Sequence, residues 1–255
     1  PFVVLGIDTV EPDKNTGMIG IQGLDQIRTY FQQFENNVIK ILCFHHHFLP
    51  IPNTGRERSM IKDAGDLQSI LWDVGIDILI VGHRHYPHTM TLSNGQRNIL
   101  LINNGTFSAH KTRGRAGRVF TTVDLFPKKV VAQFFGLDDY SNVMDLDPTV
   151  QLIKNGELKT YEPQKELPLY DSDTKSVKIS DRQPRVTICH LSCTHIALGK
   201  DFNKDIFVRG FSQIIEQSPD MVIITGNLTH EGLIGDFSLA TMYLDQLKKQ
   251  EIPFL

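Results

Sequence analysis

The sequence is poor in the features that mark several specialised protein classes. Three cysteines in 255 residues are too few, and odd in number, for a framework of disulfide bonds. The 26 basic and 29 acidic side chains nearly cancel to a net charge of -3, which does not indicate a nucleic-acid or anionic-membrane partner. No apolar run approaches the ~20 residues that span a bilayer, and no signal peptide is visible. These absences favour a globular protein in the reducing cytoplasm.

Both ends of the sequence have the pattern of interior segments. Residues 2–5 form a strand-like apolar run directly after Pro1, and residues 252–255 have the pattern of a strand entered from a helix. We therefore expect the chain to be a piece of a longer protein.

Short apolar runs alternate with helical stripes along the chain. The runs predict strands over residues 2–7, 38–44, 76–81, 98–102, 118–125, 129–135, 185–191, 221–225 and from 252. Apolar stripes predict helices through residues 24–34, 67–74, 206–215 and 235–250. Strands that alternate with helices indicate an α/β fold built on parallel sheets.

The middle of the chain has a different character. Residues 138–183 hold ten acidic side chains among scattered prolines and few apolar clusters. We interpret this segment as an acidic linker with a short hairpin at Asn155–Gly156. It separates two α/β segments, residues 1–137 and residues 184–255.

Histidines and other polar side chains follow the predicted strands. His45, His46 and His47 end one strand, and His83 and His85 follow another. Ligands gather where the strands of α/β sheets end, and neutral imidazole is the commonest transition-metal ligand. Polar residues also follow the strands of the second segment. They are Cys193, His195 and Asn227.

These blocks resemble the calcineurin-like metallophosphoesterases. Residues 82–85 resemble that family's Gly-His-x-His block, and residues 41–50 resemble its strand followed by His-His-Pro. Residues 191–195 resemble the opening Asp-x-His block, with Cys193 in place of Asp. Residues 219–232 resemble the Gly-Asp block, with Asn227 in place of Asp.

The resemblance implies a layered αββα sandwich and a centre of two divalent metal ions (Mn, Fe, Zn or Ni) that hydrolyses a small phosphoester. His45 and His83 would bind one metal and His85 the other. His46 would lie beside the phosphate as a catalytic residue, or behind the metal ligands as their support. In a second module, the first-metal and bridging positions would be occupied by Cys193, His195 and Asn227.

The order of the blocks departs from the family. The blocks at residues 45–85 come last in the family but first here, and the Gly-Asn-His block is missing. Two organisations explain this order. We favour a tandem protein, of which this chain holds the C-terminal half of one module and the N-terminal half of a second. The alternative is one circularly permuted domain completed by both halves.

Two substitutions weaken the resemblance at the metal positions. Asn227 offers one neutral carbonyl oxygen where a bridging carboxylate would offer two charged ones. Cys193 can bind as a thiolate, which favours the softer Zn or Fe(II). The second half is therefore predicted to be weakened, and a pseudo-phosphoesterase that binds or regulates is the alternative function. We interpret residues 103–106, which resemble a turn near the family's site, as a plain turn.

Overall fold

The computed structural model describes residues 1–12, 14–52, 54, 59–112, 117–126, 129–138, 149–152, 186–199 and 202–255. The strands within these residues are β1 Phe2–Gly6, β2 Ile39–Cys43, β3 Ile78–Val81, β4 His88–Ser93, β5 Asn98–Asn103, β6 Val119–Leu125, β7 Lys129–Gly136, β8 Thr149–Leu152, β9 Val186–Ser192 and β10 Met221–Thr225. The helices are α1 Gly20–Phe31, α2 Ala64–Val74, α3 Lys204–Gln217 and α4 Ile234–Lys249.

The first sheet has the strand order β1-β2-β3-β5-β4. Its strands are parallel except β4, which pairs antiparallel with β5 at the edge. Helices α1 and α2 cover its outer face, where Phe31 and Leu67 pack in one cluster with Leu42 of β2. Helix α2 ends at Gly75, whose left-handed φ of 71° is the usual conformation after a helix.

The second sheet has the order β10-β9-β6-β7-β8. β9 and β10 are parallel, whereas β9 pairs antiparallel with β6 over five residues. Helices α3 and α4 cover its outer face through a cluster that contains Phe207, Tyr243 and Leu191.

The inner faces of the two sheets pack against each other. Side chains alternate along each strand, so Ile41 of β2 points inward while Leu42 points to the helices. Ile41 belongs to one inner cluster with Val123 of β6 and Ile188 of β9. The layered α/β sandwich predicted from the sequence is confirmed.

Both sides of the predicted linker contribute to the second sheet. β6 precedes the linker and β9 follows it, and the two strands are hydrogen-bonded neighbours. A single permuted domain requires such a pairing; the tandem organisation of the whole protein stays a prediction. β8 lies within the predicted linker, and the hairpin at residues 155–156 lies outside the described residues.

Two further elements differ from expectation. β4 was not predicted, because its side chains are half-buried or exposed at a sheet edge and show no apolar run. The last predicted strand is reduced to a bridge between Phe254 and Val222 of β10.

None of the described helices combines the length and apolar character that crossing a membrane requires.

Candidate metal centre

The carboxyl ends of strands from both sheets meet at one edge of the sandwich. His45 follows β2 and His83 follows β3, and the Gly82 amide donates to the His45 carbonyl at 2.9 Å. Gly226, after β10, approaches so closely that a Cβ there would lie 2.5 Å from the His45 ring. Cys193 follows β9 at the same edge and its amide donates to the Gly226 carbonyl at 3.1 Å.

Two groups of potential ligands lie at this edge. One ligand atom from each member of a group lies within 4.8 Å of those of the other members. The imidazole group consists of His45, His46 and His83, and the thiol group consists of His85, Cys193 and His195. Both groups can hold a metal ion.

The two groups divide the three histidines to which the resemblance assigned metal positions. His45 and His83 lie in one group and His85 in the other. Desolvation is the main cause that lowers the pKa of His45, and a positive charge on the nearby His85 lowers it further. Metal ligation by the individual residues stays a prediction.

Hydrogen bonds orient the rings of the imidazole group. His45 Nδ1 lies 2.9 Å from the carbonyl oxygen of Thr225. A carbonyl can only accept, so Nδ1 carries the proton and the lone pair of His45 is on Nε2. That Nε2 lies 2.9 Å from His83 Nδ1. His46 Nδ1 lies 2.8 Å from the hydroxyl of Thr9, and this leaves its Nε2 available.

Burial keeps these rings neutral. Desolvation lowers the pKa of His45 and of His46 to about 4, and that of His83 to about 2. Neighbouring imidazoles add to the depression of the His83 pKa. Neutral imidazole is the form that binds a metal ion, so the group has this form at neutral pH.

In the thiol group, a backbone carbonyl orients one of the two histidines. His85 Nδ1 donates to the carbonyl of Lys111 at 2.6 Å, which leaves Nε2 with the lone pair. The Cys193 side chain is fully buried, and burial raises the pKa of its thiol to about 11 although the Ser192 hydroxyl lies 3.3 Å from its sulfur. His195 Nε2 is buried without a hydrogen-bond partner among the described atoms, and burial lowers the pKa of His195 to about 4.

Unusual backbone conformations concentrate at this edge. Five residues of the predicted site have a positive φ between 41° and 72°, namely His83, His85, Cys193, His195 and Asn227. Such left-handed conformations are costly outside glycine and cluster at functional sites. Only two further described non-glycine residues, Ser218 and Glu251, share them.

Asn227 contributes to this edge through its backbone. Its carbonyl accepts from the His195 amide at 2.8 Å and from the Thr194 hydroxyl at 3.3 Å. Its own side chain is exposed. The predicted bridging role of Asn227 stays a prediction.

Four supporting residues were missed or underrated by the sequence analysis. Thr9 and Thr225 hold His46 and His45, and His230 Nδ1 lies 3.3 Å from His195 Nδ1. Thr9 and His230 also come just beyond strand ends, which is the signal that could have found them. The segment at residues 103–106 is more than a plain turn, since the buried Thr106 hydroxyl donates to the Cys193 carbonyl at 2.8 Å.

Comparison with known proteins adds a structural likeness only. No protein-family model matches the chain, and no curated protein has a significantly similar sequence. A solved structure of a candidate 5'-nucleotidase from Staphylococcus aureus, in complex with alpha-ketoglutarate, matches with 18% identity and a TM-score of 0.28. The match covers 64% of this chain and 29% of the nucleotidase chain, so this chain spans less than a third of that protein.

Proposed function

We propose that this chain carries a site of the calcineurin-like metallophosphoesterase type and hydrolyses small phosphoesters with bound divalent metal ions. The observation that carries the proposal is the meeting of the imidazole group and the thiol group at one edge of the sandwich. The same residues form the blocks that resemble this family, although they come from both sides of the predicted linker.

The side chains present suit transition-metal ions. Each group offers imidazole nitrogen, and the thiol group adds a cysteine sulfur, which are ligands for Zn, Fe, Co or Ni rather than for Mg or Ca. The buried Nε2 of His195 has no hydrogen-bond partner within the described part of the chain, and a metal ion would supply one. The donor set therefore fits such ions.

Metal ions bound in pairs polarise a phosphoryl oxygen and lower the pKa of a bound water. The residues of the chain supply the setting for this chemistry. The carbonyls of Thr225 and Lys111 fix the tautomers of His45 and His85 so that both present a lone pair to the site. His83 and His85 both have left-handed backbone conformations, and they contribute one ring each to the imidazole group and the thiol group.

One observation favours the second candidate function, a pseudo-phosphoesterase that binds without turnover. Among the described residues, neither group contains an aspartate or glutamate. Two metal ions held close together repel, and carboxylates normally offset that repulsion. Here only the thiol of Cys193 can supply a negative charge within the two groups.

Metal analysis and turnover distinguish the two functions. The full chain is loaded with Zn²⁺ or Mn²⁺ and assayed with bis(p-nitrophenyl) phosphate and p-nitrophenyl phosphate. An enzyme should show turnover that falls by about 100-fold or more in His85→Ala, since loss of a second-sphere partner alone costs 10–100-fold. His110→Gln, which changes an exposed histidine outside both groups, should leave turnover unchanged. Bound metal with no turnover would support the pseudo-phosphoesterase.

A further inference from the structure

We propose that the imidazole group, His45, His46 and His83, is a complete three-histidine site for one divalent metal ion. His46 is then a metal ligand rather than a residue of the substrate side. The inference deepens the proposed function but rests on metal binding alone, and not on hydrolysis. Three imidazoles with an open fourth position are a known arrangement for a catalytic zinc ion.

Two of the three rings, His45 and His46, have one nitrogen held by a protein partner outside the group. The Thr225 carbonyl holds Nδ1 of His45, and the Thr9 hydroxyl lies 2.8 Å from Nδ1 of His46. Both contacts are buried. Such outer partners orient metal-binding histidines and raise the basicity of the nitrogen that binds. His46 has the same kind of partner as His45.

The spacing of the rings suits a shared ion. Two nitrogens bound at about 2.0–2.1 Å lie about 2.9 Å apart at a right angle and about 3.4 Å apart at a tetrahedral angle. His83 Nδ1 and His45 Nε2 are 2.9 Å apart. The ring centre of His46 lies 4.9 Å from that of His45 and 4.6 Å from that of His83. The ring centres of His45 and His83 are 4.8 Å apart, so the three rings are about equally spaced.

Close packing holds the rings in these positions. Gly17 lies directly against the His46 ring and Gly226 against the His45 ring, where any Cβ would collide with the imidazole. His47, which is buried, stacks on His83 with an interplanar angle of 7° and centres 5.9 Å apart. A site with fixed ligand rings needs little reorganisation when the ion binds.

Metal binding by the imidazole group requires neither Cys193 nor Asn227, the two residues that replace aspartates of the family. Cys193 belongs to the thiol group, and Asn227 meets its neighbours through its backbone. Three neutral nitrogen ligands leave the charge of the ion unbalanced, and they select Zn²⁺ or Co²⁺ over hard ions such as Mg²⁺. The site should therefore load even when the thiol group is removed.

Cobalt is a suitable probe because it reports thiolate ligands. In Cys193→Ser, which removes the sulfur of the thiol group, Co²⁺ affinity is measured by competition with a chromophoric chelator. Visible d–d bands without a near-ultraviolet sulfur charge-transfer band should accompany binding. His46→Gln in this background should weaken Co²⁺ binding by about 100-fold or more, and Thr9→Val by about 10–100-fold. Thr9→Ser, which keeps the hydroxyl, and His110→Gln should bind as the Cys193→Ser parent does.

An unchanged Co²⁺ affinity in a folded His46→Gln protein, checked by circular dichroism, would overturn the inference. If His46→Gln does not fold, Thr9→Val decides, and an unchanged affinity there would overturn it equally. The proposed hydrolysis and the three-histidine site are refuted by different results. A protein that binds Co²⁺ as expected but hydrolyses no phosphoester refutes only the hydrolysis, whereas turnover together with an unaltered affinity in His46→Gln refutes only the three-histidine site.

Discussion

His45 Nδ1 lies 2.9 Å from the carbonyl oxygen of Thr225, although 180 residues separate them in the chain. His45 precedes the predicted linker and Thr225 follows it. The hydrogen bond joins the end of one sheet to the end of the other and sets the tautomer of a predicted metal ligand. The candidate metal centre therefore depends on how the two parts of the chain pack.

Gly82 allows this close packing. A Cβ at residue 82 would collide with the Ser192 side chain and lie 3.2 Å from the Thr225 hydroxyl. We expect Gly82→Ala to lower the free energy of unfolding by about 1–3 kcal/mol, the usual effect of overpacking. Urea unfolding monitored by circular dichroism measures the change. Gly65→Ala in α2, where a Cβ meets nothing within 4 Å, is the control and should cost nothing.

A double mutant identifies the cause of the Gly82→Ala effect. Ser192→Gly removes the colliding side chain, so its combination with Gly82→Ala should lose less stability than the sum of the two single changes. Additive losses would show that the two residues do not meet in solution.

The pairing of β6 with β9 predicts that the chain can be split. Fragments 1–152 and 186–255, expressed together with a tag on one of them, should copurify. They share the ladder between β6 and β9 and the inner cluster that contains Val123 and Ile188. Ile188→Asp places a charge in that cluster and should abolish copurification. Fragments that never associate would instead favour halves of separate modules.

His190 predicts that stability falls in acid. Its side chain is fully buried, and desolvation lowers its pKa from 6.5 to about 3. Below pH 6.5 the imidazole of His190 binds a proton in the unfolded chain but not in the folded protein. The free energy of unfolding therefore decreases as the pH is lowered from 6.5 to about 3. The protonation of His190 lowers the free energy of unfolding by up to about 1.4 kcal/mol per pH unit.

His190→Gln removes this titrating group. Urea unfolding is measured between about pH 4.5 and 7.5. The slope of the unfolding free energy against pH should be smaller in the variant, by up to the slope that the binding of one proton produces. The buried histidines of the candidate metal centre contribute to both proteins equally, so the difference isolates His190. Identical slopes would show that His190 is accessible to protons in the folded state.

Restored carboxylates should change the preference for metals. We expect Cys193→Asp combined with Asn227→Asp to raise Mn²⁺ affinity by about tenfold or more, or about 1.4 kcal/mol, and to raise phosphoester turnover. Carboxylate oxygens suit Mn²⁺ and offset the repulsion between two dications. Isothermal titration measures the Mn²⁺ affinity, and the p-nitrophenyl substrates measure the turnover.

Asn94→Asp, which adds a charge in the turn after β4, is the control. Equal Mn²⁺ affinity in the natural and double-Asp proteins would mean that Cys193 and Asn227 are not weakened ligand positions.

The local sequence determined the layers of this protein. Alternation within strands such as β2 places Ile41 and Leu42 on opposite faces of the sheet, and a histidine just beyond a strand end is placed at the sheet edge by chain geometry alone. The α/β class and the gathering of histidines at that edge were therefore predictable. β4 was not, because an exposed edge strand carries little apolar signal.

Tertiary structure alone decided which histidines lie together in one group. The partners that orient His46 and His45 lie 37 and 180 residues away, and no local pattern records a hydrogen bond of that range. The antiparallel pairing of β6 with β9 is likewise a contact across the predicted linker. It forms because Val123 and Ile188 bury apolar surface against the first sheet, and this long-range packing brings the thiol group beside the imidazole group.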